Sequence, residues 1–504
     1  MLKNVSFKLA HLALLTSLAY SANVLANSAP PASNAVETTK AHAVSLPASF
    51  KLTDEQLALE QKAIADQLAA ERKAENERLE QEQQQRAEQR LTDLMGTQEL
   101  QFKSVLANVY GQSDYLFLWE DKAAEKAFLH EYAAMVASGI SKRSAKSLED
   151  IAKASQTGGL VYDILLTDAF LDYMYYSDNA INSAQKWLYS VNGYKASAPA
   201  EARIQAWLSA VKNGESLPFV TVLSSKNHLY EQTVAKLSSL IASGKGDKDM
   251  IHKLAINAQR LRVIPSFENG IFVNIPSYQL EYKRNGKLVL ESRVIVGKKE
   301  RKTPVMYSKL SNVVVNPPWN PTPRLINEDL VPKIKRDPGY VARNGYSILD
   351  SKGREIDPYS INWATIGSRF PYHIRQAPGD SALGNYKFNM PSSDAIYLHD
   401  TPNHSLFGRT DRALSSGCVR VNKSDELASI LLKEAGWSDA KKQQVLKSKK
   451  TTWANIRSDN PVYLYYATAW VDNGKVKTLP DIYGYDTSAN ITYINWNTVN
   501  RYLN

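Results

Sequence analysis

The sequence predicts an α+β chain: a long helix, an all-α region, then a mostly β domain carrying a long insertion. Three observations predict it. From Thr53 to Leu94 the composition turns to Glu, Gln, Ala, Arg and Lys, with neither Gly nor Pro. From about Gln101 to Lys248 apolar residues recur at spacings of three and four between Gly- or Ser-rich turns. Around Ile264-Pro265 the pattern changes to short alternating runs with hairpin signals.

Taken in order, residues 53–95 open with Thr53 as a helix cap and Gln56 three positions on, a capping box. At roughly 1.5 Å per residue such a helix is about 60 Å long. Its apolar positions, Leu57, Ile64, Leu68, Leu79 and Leu91, are sparse, and Glu71, Glu75 and Arg86 fall where a coiled-coil seam would continue. A solvated spacer is expected. Residues 96–262 read as an all-α scaffold, with Tyr115, Phe117, Trp119, Trp187 and Trp207 expected to fill its core. No chemical constellation stands out there.

Residues 263–451 form the strand-rich domain. Asn285-Gly286 lies between two alternating runs, 278–284 and 287–294, the strongest two-residue hairpin signal. Val313 to Val315 and Ile396 to Leu398 are further strands. Residues 316–380 hold many Pro, Gly and Trp with little periodicity, and a connection this long is expected to be a lid over a site. A helix from Ser424 to Glu434 should end near Gly436. Residues 452–504 are expected to close the chain with a hairpin, Val462 to Val471, turning at Asn473-Gly474, and a tail.

The N-terminus reads as an export signal over residues 1–26. Lys3 and Lys8 precede a short apolar stretch, and Val24-Leu25-Ala26 offers small cleavage residues. Residues 27–52, rich in Ala, Ser and Pro, read as a flexible leader. The mature protein is expected to be soluble, outside the cytoplasm and without a membrane span. A formal net charge of +10 admits polyanionic partners. Export and the lack of interleaved Arg and aromatic residues argue against nucleic acid.

Cys418 is the only cysteine in 504 residues, in the run Ser415-Ser416-Gly417-Cys418-Val419-Arg420. An exported protein usually pairs its cysteines, and this one has no partner in the chain. A buried inert thiol, an intermolecular link or a nucleophile remain. Gly417 favours the last, since a glycine lets a substrate approach the backbone closely. A catalytic thiol needs a base or a positive environment. Of eight His, His373, His399 and His404 lie near it in sequence. Strand alternation puts Ile396 and Leu398 on one face and Tyr397 and His399 on the other; it likewise separates Val419 and Val421 from Cys418 and Arg420. If the two strands are neighbours, Tyr397, His399, Cys418 and Arg420 share a surface. A zinc site from the three His and Cys418 lacks the paired-Cys context of common structural sites.

His399, then Ser415-Ser416-Gly417-Cys418-Val419-Arg420, resembles the signature of L,D-transpeptidases with the YkuD-type catalytic domain. Leu398-His399-Asp400-Thr401-Pro402, Asn316-Pro317-Pro318-Trp319 and Asp337-Pro338-Gly339-Tyr340 extend the resemblance. With the preceding helical region, these blocks resemble the large periplasmic Gram-negative YcbB-type members. The resemblance implies a sandwich-like catalytic domain and acyl transfer between peptidoglycan stem peptides, with a tetrapeptide donor and a diaminopimelate acceptor amine. It implies Cys418 as nucleophile, His399 as base, and the backbone N–H groups of Gly417 and Cys418 as oxyanion donors. Arg420, Tyr397, Ser415, Ser416 and Trp319 are the expected substrate contacts. No metal or organic cofactor is required, and wall-synthesis proteins stand open as partners.

Two departures matter. Many members have His before the Gly and Asn two after the Cys, where this chain has Ser416 and Arg420, so His399 is left as the base. The small wall-binding module common in large members has no room between Ser243 and Leu254. A Cys/His wall peptidase or amidase and a non-catalytic wall-binding scaffold are the rival classes. Wall hydrolases usually place Cys before His, the reverse of the order here.

Overall fold

The computed structural model describes residues 54–504, apart from Val191, Asn192, Lys245, Asp394, Ser458 and residues 487–490. The expected export signal (1–26), leader (27–52) and Thr53 cap lie outside the described residues. The chain divides into two units, one ending at Arg78 and the other running from Leu79 to Asn504. No helix among the described residues is long and apolar enough to cross a membrane.

Helix α1 (Asp54–Met95) begins in the first unit. There it carries exposed pairs one turn apart, such as Gln67 with Glu71 at 2.8 Å and Arg78 with Glu75 at 2.8 Å. Each stabilises a helix by only about 0.2–0.5 kcal/mol. The last turns of α1, within the second unit, are not the solvated spacer the sequence suggested. Leu91 is fully buried, Met95 nearly so. The Arg90 guanidinium lies 4.0 Å from the ring centre of Tyr115, and the Tyr115 hydroxyl donates to the Ala87 carbonyl.

The all-α region continues with α2 (Lys103–Gln112), α3 (Lys122–Ala137), α4 (Lys142–Ala154), α5 (Gly159–Leu188), α6 (Glu201–Lys212), α7 (Ser216–Leu223), α8 (His228–Ser243) and α9 (Lys248–Arg262). Helix α5 is buried almost continuously from Asp163 to Met174. Its Phe170 packs against Trp119 and Trp207, the three ring centres 5.1–5.9 Å apart. Its buried carboxylates satisfy loop backbone that would otherwise lack partners. Asp163 accepts from the N–H groups of Leu118 and Trp119, and Asp168 from those of Gln101 and Phe102. Phe117 departs from expectation: it is 50% exposed, because Asp114 and Tyr115 take positive φ and the turn carries it outward.

The strands before the insertion are β1 (Gly270–Asn274), β2 (Gln279–Arg284), β3 (Lys287–Gly297), β4 (Met306–Lys309) and β5 (Asn312–Val315). The insertion holds β6 (Tyr346–Leu349), β7 (Glu355–Ile356) and β8 (His373–Gln376). After it come β9 (Tyr386–Asn389), β10 (Leu398–His399), β11 (Ala413–Ser415), β12 (Val419–Val421), β13 (Thr452–Asn455), β14 (Pro461–Tyr465), β15 (Ala469–Asp472) and β16 (Lys475–Thr478). Helices α10 (Ser424–Glu434) and α11 (Asp439–Ser448) follow β12. One eleven-stranded curled sheet runs β13-β5-β9-β10-β12-β3-β2-β1-β14-β4, with β11 beside β3. The β2–β3 hairpin turns at Asn285 and Gly286, both at positive φ as this turn requires.

Two expectations change. The strand starting at Val462 is not part of the late hairpin: β14 inserts between β1 and β4, and β15–β16 alone turn at Asn473-Gly474. Since β13 and β14 belong to the same sheet, that sheet continues past residue 451. The C-terminal helix α12 (Trp496–Leu503) returns to the all-α region, where Tyr493 donates to Gly139 and Ser238 to Asn504. The insertion is also more ordered than its composition suggested. Short helical turns over 323–336 and 340–343 pack on a β7-β6-β8 sheet around Ile326, Leu330, Ile334, Ile348 and Ile374. Paired N–H···O bonds between Trp319 and Gln376, 3.1 and 2.9 Å, clamp its base.

Candidate active site

Strands β10 and β12 are parallel neighbours, with Leu398 opposite Val419 and His399 opposite Arg420. Leu398, Val419 and Val421 are fully buried and Ile396 nearly so. Alternation therefore sends Tyr397, His399, Cys418 and Arg420 to the other face, where they line a cleft of about 500 Å³. Regular β10 spans only two residues; Ala395, at positive φ, interrupts the longer run the sequence suggested.

The loop that presents Cys418 is fixed by its own polar groups. Ser415 Oγ accepts from the Gly417 N–H at 3.1 Å and donates to the Cys418 carbonyl at 2.6 Å. Thr303 Oγ1 donates to the Gly417 carbonyl at 2.7 Å. Gly417 has φ +128°, a backbone conformation side chains rarely adopt, and a Cβ there would lie 3.2 Å from Ile396 Cδ1. The half-buried thiol points its hydrogen at the Ala395 carbonyl, 3.8 Å away.

His399 is 6% exposed, and its Nδ1 lies 2.5 Å from the Asp400 carbonyl oxygen. A carbonyl only accepts, so Nδ1 carries the proton and Nε2 keeps its lone pair. Burial, then the Arg420 guanidinium and Lys387 ammonium, push the imidazole down to about 3. Asp400 is itself anchored, accepting from Asn385 N and Ser424 Oγ at 2.8 and 2.7 Å. Burial raises the Cys418 thiol above its ordinary value. The Tyr397 N–H and hydroxyl, then Lys387 and Arg420, oppose that rise. The Tyr397 hydroxyl in turn accepts from the side chain of Trp319 at the base of the insertion. Arg420 Nε is buried with no partner among the described residues.

A family model for the L,D-transpeptidase catalytic domain (YkuD) matches residues 268–480, and one for the Scaffold domain matches residues 104–237. A Haemophilus influenzae protein named "Putative L,D-transpeptidase" is 62% identical over 413 residues, 82% of this chain and 84% of that protein. The chain belongs to the L,D-transpeptidase family. A solved structure titled "Structure of the Ldtfm-avibactam carbamoyl enzyme" matches 40% of this chain and 50% of that chain at 13% identity. Its TM-score of 0.20 is too low to bear on the fold.

Within this L,D-transpeptidase Cys418, His399, Tyr397, Arg420 and Trp319 meet in the cleft. Ser415, Ser416 and Gly417 line the same cleft, where the Gly417 N–H is donated to the Ser415 hydroxyl. Among the described residues the Cys418 N–H has no such partner. Ser416 Oγ accepts from Arg301, which also pairs with Glu328 and Asp329 of the insertion. Trp363 donates to the Pro358 carbonyl and stacks on Phe370 inside the insertion's core. His373 is exposed on β8, and His404 is exposed with Nε2 3.3 Å from Asp400 Oδ1. Sequence reasoning missed Lys387, which lies directly across from His399 on β9. It missed Asp400 as well, although that residue directly follows the histidine.

Proposed function

We propose that the protein is a periplasmic L,D-transpeptidase that forms 3→3 cross-links between peptidoglycan stems through a Cys418 thioester. The observation that carries this reading is the single cleft face shared by Cys418, His399 with its free Nε2, and the unpaired Arg420. In the first half-reaction the Cys418 sulfur attacks the carbonyl of the third-position diaminopimelate in a tetrapeptide stem. The thiol proton passes to His399 Nε2 and then to the departing amine of the terminal D-Ala. The Cys418 N–H faces the developing oxyanion. In the second half-reaction the side-chain amine of another stem attacks the thioester, His399 takes a proton from it, and the thiol is restored. Arg420, a planar fork of donors without a carboxylate partner, suits a stem carboxylate. Tyr397, kept protonated by burial, donates toward the sulfur.

Mass spectrometry of disaccharide-tetrapeptides incubated with the full protein tests the reading. Loss of D-Ala with growth of a 3→3 dimer is expected, and both should vanish in Cys418→Ala. Tripeptide alone would mean water is the acceptor. Unchanged turnover in Cys418→Ala would overturn the assignment.

A further inference from the structure

The sheet sets three side chains in one row, of which His399 and Arg420 line the cleft. Lys387 on β9 stands opposite His399 on β10, and His399 stands opposite Arg420 on β12. Residues directly opposite on adjacent strands share a face and lie about 5 Å apart. The imidazole is therefore flanked by an ammonium on one side and a guanidinium on the other. Among the described residues no carboxylate pairs with either cation, and the Lys387 Nζ instead sits 4.2 Å from the ring centre of Tyr397. Tyr397 is the residue whose hydroxyl reaches Cys418.

A half-buried lysine without a counter-ion costs stability unless something else holds it. Burial pulls the Lys387 ammonium below its ordinary value, and the negative charge of a Cys418 thiolate is the one charge that opposes that fall. The same arrangement penalises an imidazolium, since a positive ring between two cations is repelled from both sides. The familiar way to ionise a catalytic cysteine, a standing thiolate–imidazolium pair, is disfavoured here.

We infer that Lys387 is a positioning residue for acyl transfer: with Arg420 it supplies the positive field that stabilises the Cys418 thiolate, while His399 stays uncharged to receive the proton. The balance is simple. The S–H bond breaks as sulfur attacks the stem carbonyl, the proton goes to His399 Nε2, and the negative charge passes from sulfur to the carbonyl oxygen. Lys387 exchanges no proton in this step. It acts on sulfur through space and through Tyr397, whose ring it holds. The other charged groups around the thiol differ in kind. Arg301 is tied to Glu328 and Asp329. Lys302 donates to the Tyr483 carbonyl and lies over Tyr485. Glu300 and Arg324 stand at the cleft wall.

The inference rests on Cys418 being the nucleophile, yet it is tested without turnover. Cys418 is the only cysteine, so thiolate ultraviolet absorbance, taken as a difference against Cys418→Ala, titrates one group. Lys387→Met, close in length but uncharged, should raise the midpoint by about one pH unit. Iodoacetamide alkylation below the midpoint should then slow about tenfold. Lys387→Arg should stay near wild type, with Tm unchanged in both. Lys387→Gln provides the same comparison if the Met variant unfolds. An unmoved midpoint in a folded uncharged variant overturns the inference. So does a Lys387→Arg midpoint displaced as far as the uncharged one, since packing would then be the cause. If Cys418 were not the nucleophile, Cys418→Ala would keep turnover whatever the titration gave.

Discussion

The Nδ1–H of His399 is donated to the carbonyl oxygen of the very next residue, Asp400, at 2.5 Å. The bond sets both tautomer and ring orientation, so the basic nitrogen faces the cleft. Asp400 can hold that carbonyl still because its own carboxylate is bonded at both oxygens. Gly384 makes room for it: a Cβ there would lie 2.3 Å from Asp400 Oδ2.

A pH dependence follows. His399, held down to about 3, stays neutral through the range where a free imidazole, at 6.5, would protonate. Acylation should therefore have no acidic limb near 6.5. It should climb with pH through neutrality, since the thiol's ionisation lies above its ordinary value. Stopped-flow acylation rates across pH check this, and a bell centred near neutrality would contradict it. Stability carries the opposite side of the same shift. The folded state disfavours the proton, so this contribution is whole above about 6.5 and is lost as pH falls toward about 3.

The sequence made much of this site readable, and the reason is local. Period-two alternation assigned Ile396, Leu398, Val419 and Val421 inward and Tyr397, His399, Cys418 and Arg420 to the cleft, and the register Leu398–Val419 and His399–Arg420 does the rest. Lys387 was not readable. A lysine alternating with Tyr386 and Phe388 looks like a solvent-facing strand residue, and only the pairing of β9 with β10 sets it opposite His399 and over the Tyr397 ring. The insertion hid its core in another way. Ile326, Leu330 and Ile334 recur every four residues, but Pro323 and Pro332 break the helical pattern around them. β14 was misjudged because its partners β1 and β4 are far away in the chain.

Where the protein can be shortened is now specific. A start at Leu79 keeps Leu91 and Met95 in place, whereas a start at Gly96 removes both from the core. Losing a buried Leu or Met side chain typically costs about 2–5 kcal/mol. The longer form should keep the full chain's Tm and its activity on soluble stems, and the shorter should melt several degrees lower. Differential scanning calorimetry on the pair decides it. Equal Tm values would mean the last turns of α1 contribute nothing.

The insertion should be removable as a unit. It has its own hydrophobic cluster and is clamped at Trp319 and Gln376. Replacing residues 322–373 by a short Gly-Ser linker should leave the sheet folded, by circular dichroism. Turnover should fall at least about tenfold, because the cleft loses the wall bearing Arg324 and Asp329. Normal cross-linking by the shortened protein would exclude any role as a substrate cover.

Cys418 and His399 should behave as one catalytic unit. Cys418→Ala removes the only thiol, and His399→Ala removes the only imidazole lining the cleft among the described residues. Each should lower acylation by about a thousandfold or more, and the double variant should be scarcely worse than either, since both act in the same step. His399 is buried, so His399→Asn, closer in shape, separates lost chemistry from lost packing. A carbapenem offers a strained carbonyl in place of the donor amide and should add to Cys418, increasing the intact mass by one inhibitor. The adduct should be absent from Cys418→Ala and form slowly in His399→Asn. An adduct on Cys418→Ala would move the nucleophile elsewhere, and additive losses in the double variant would separate the roles of thiol and imidazole into different steps.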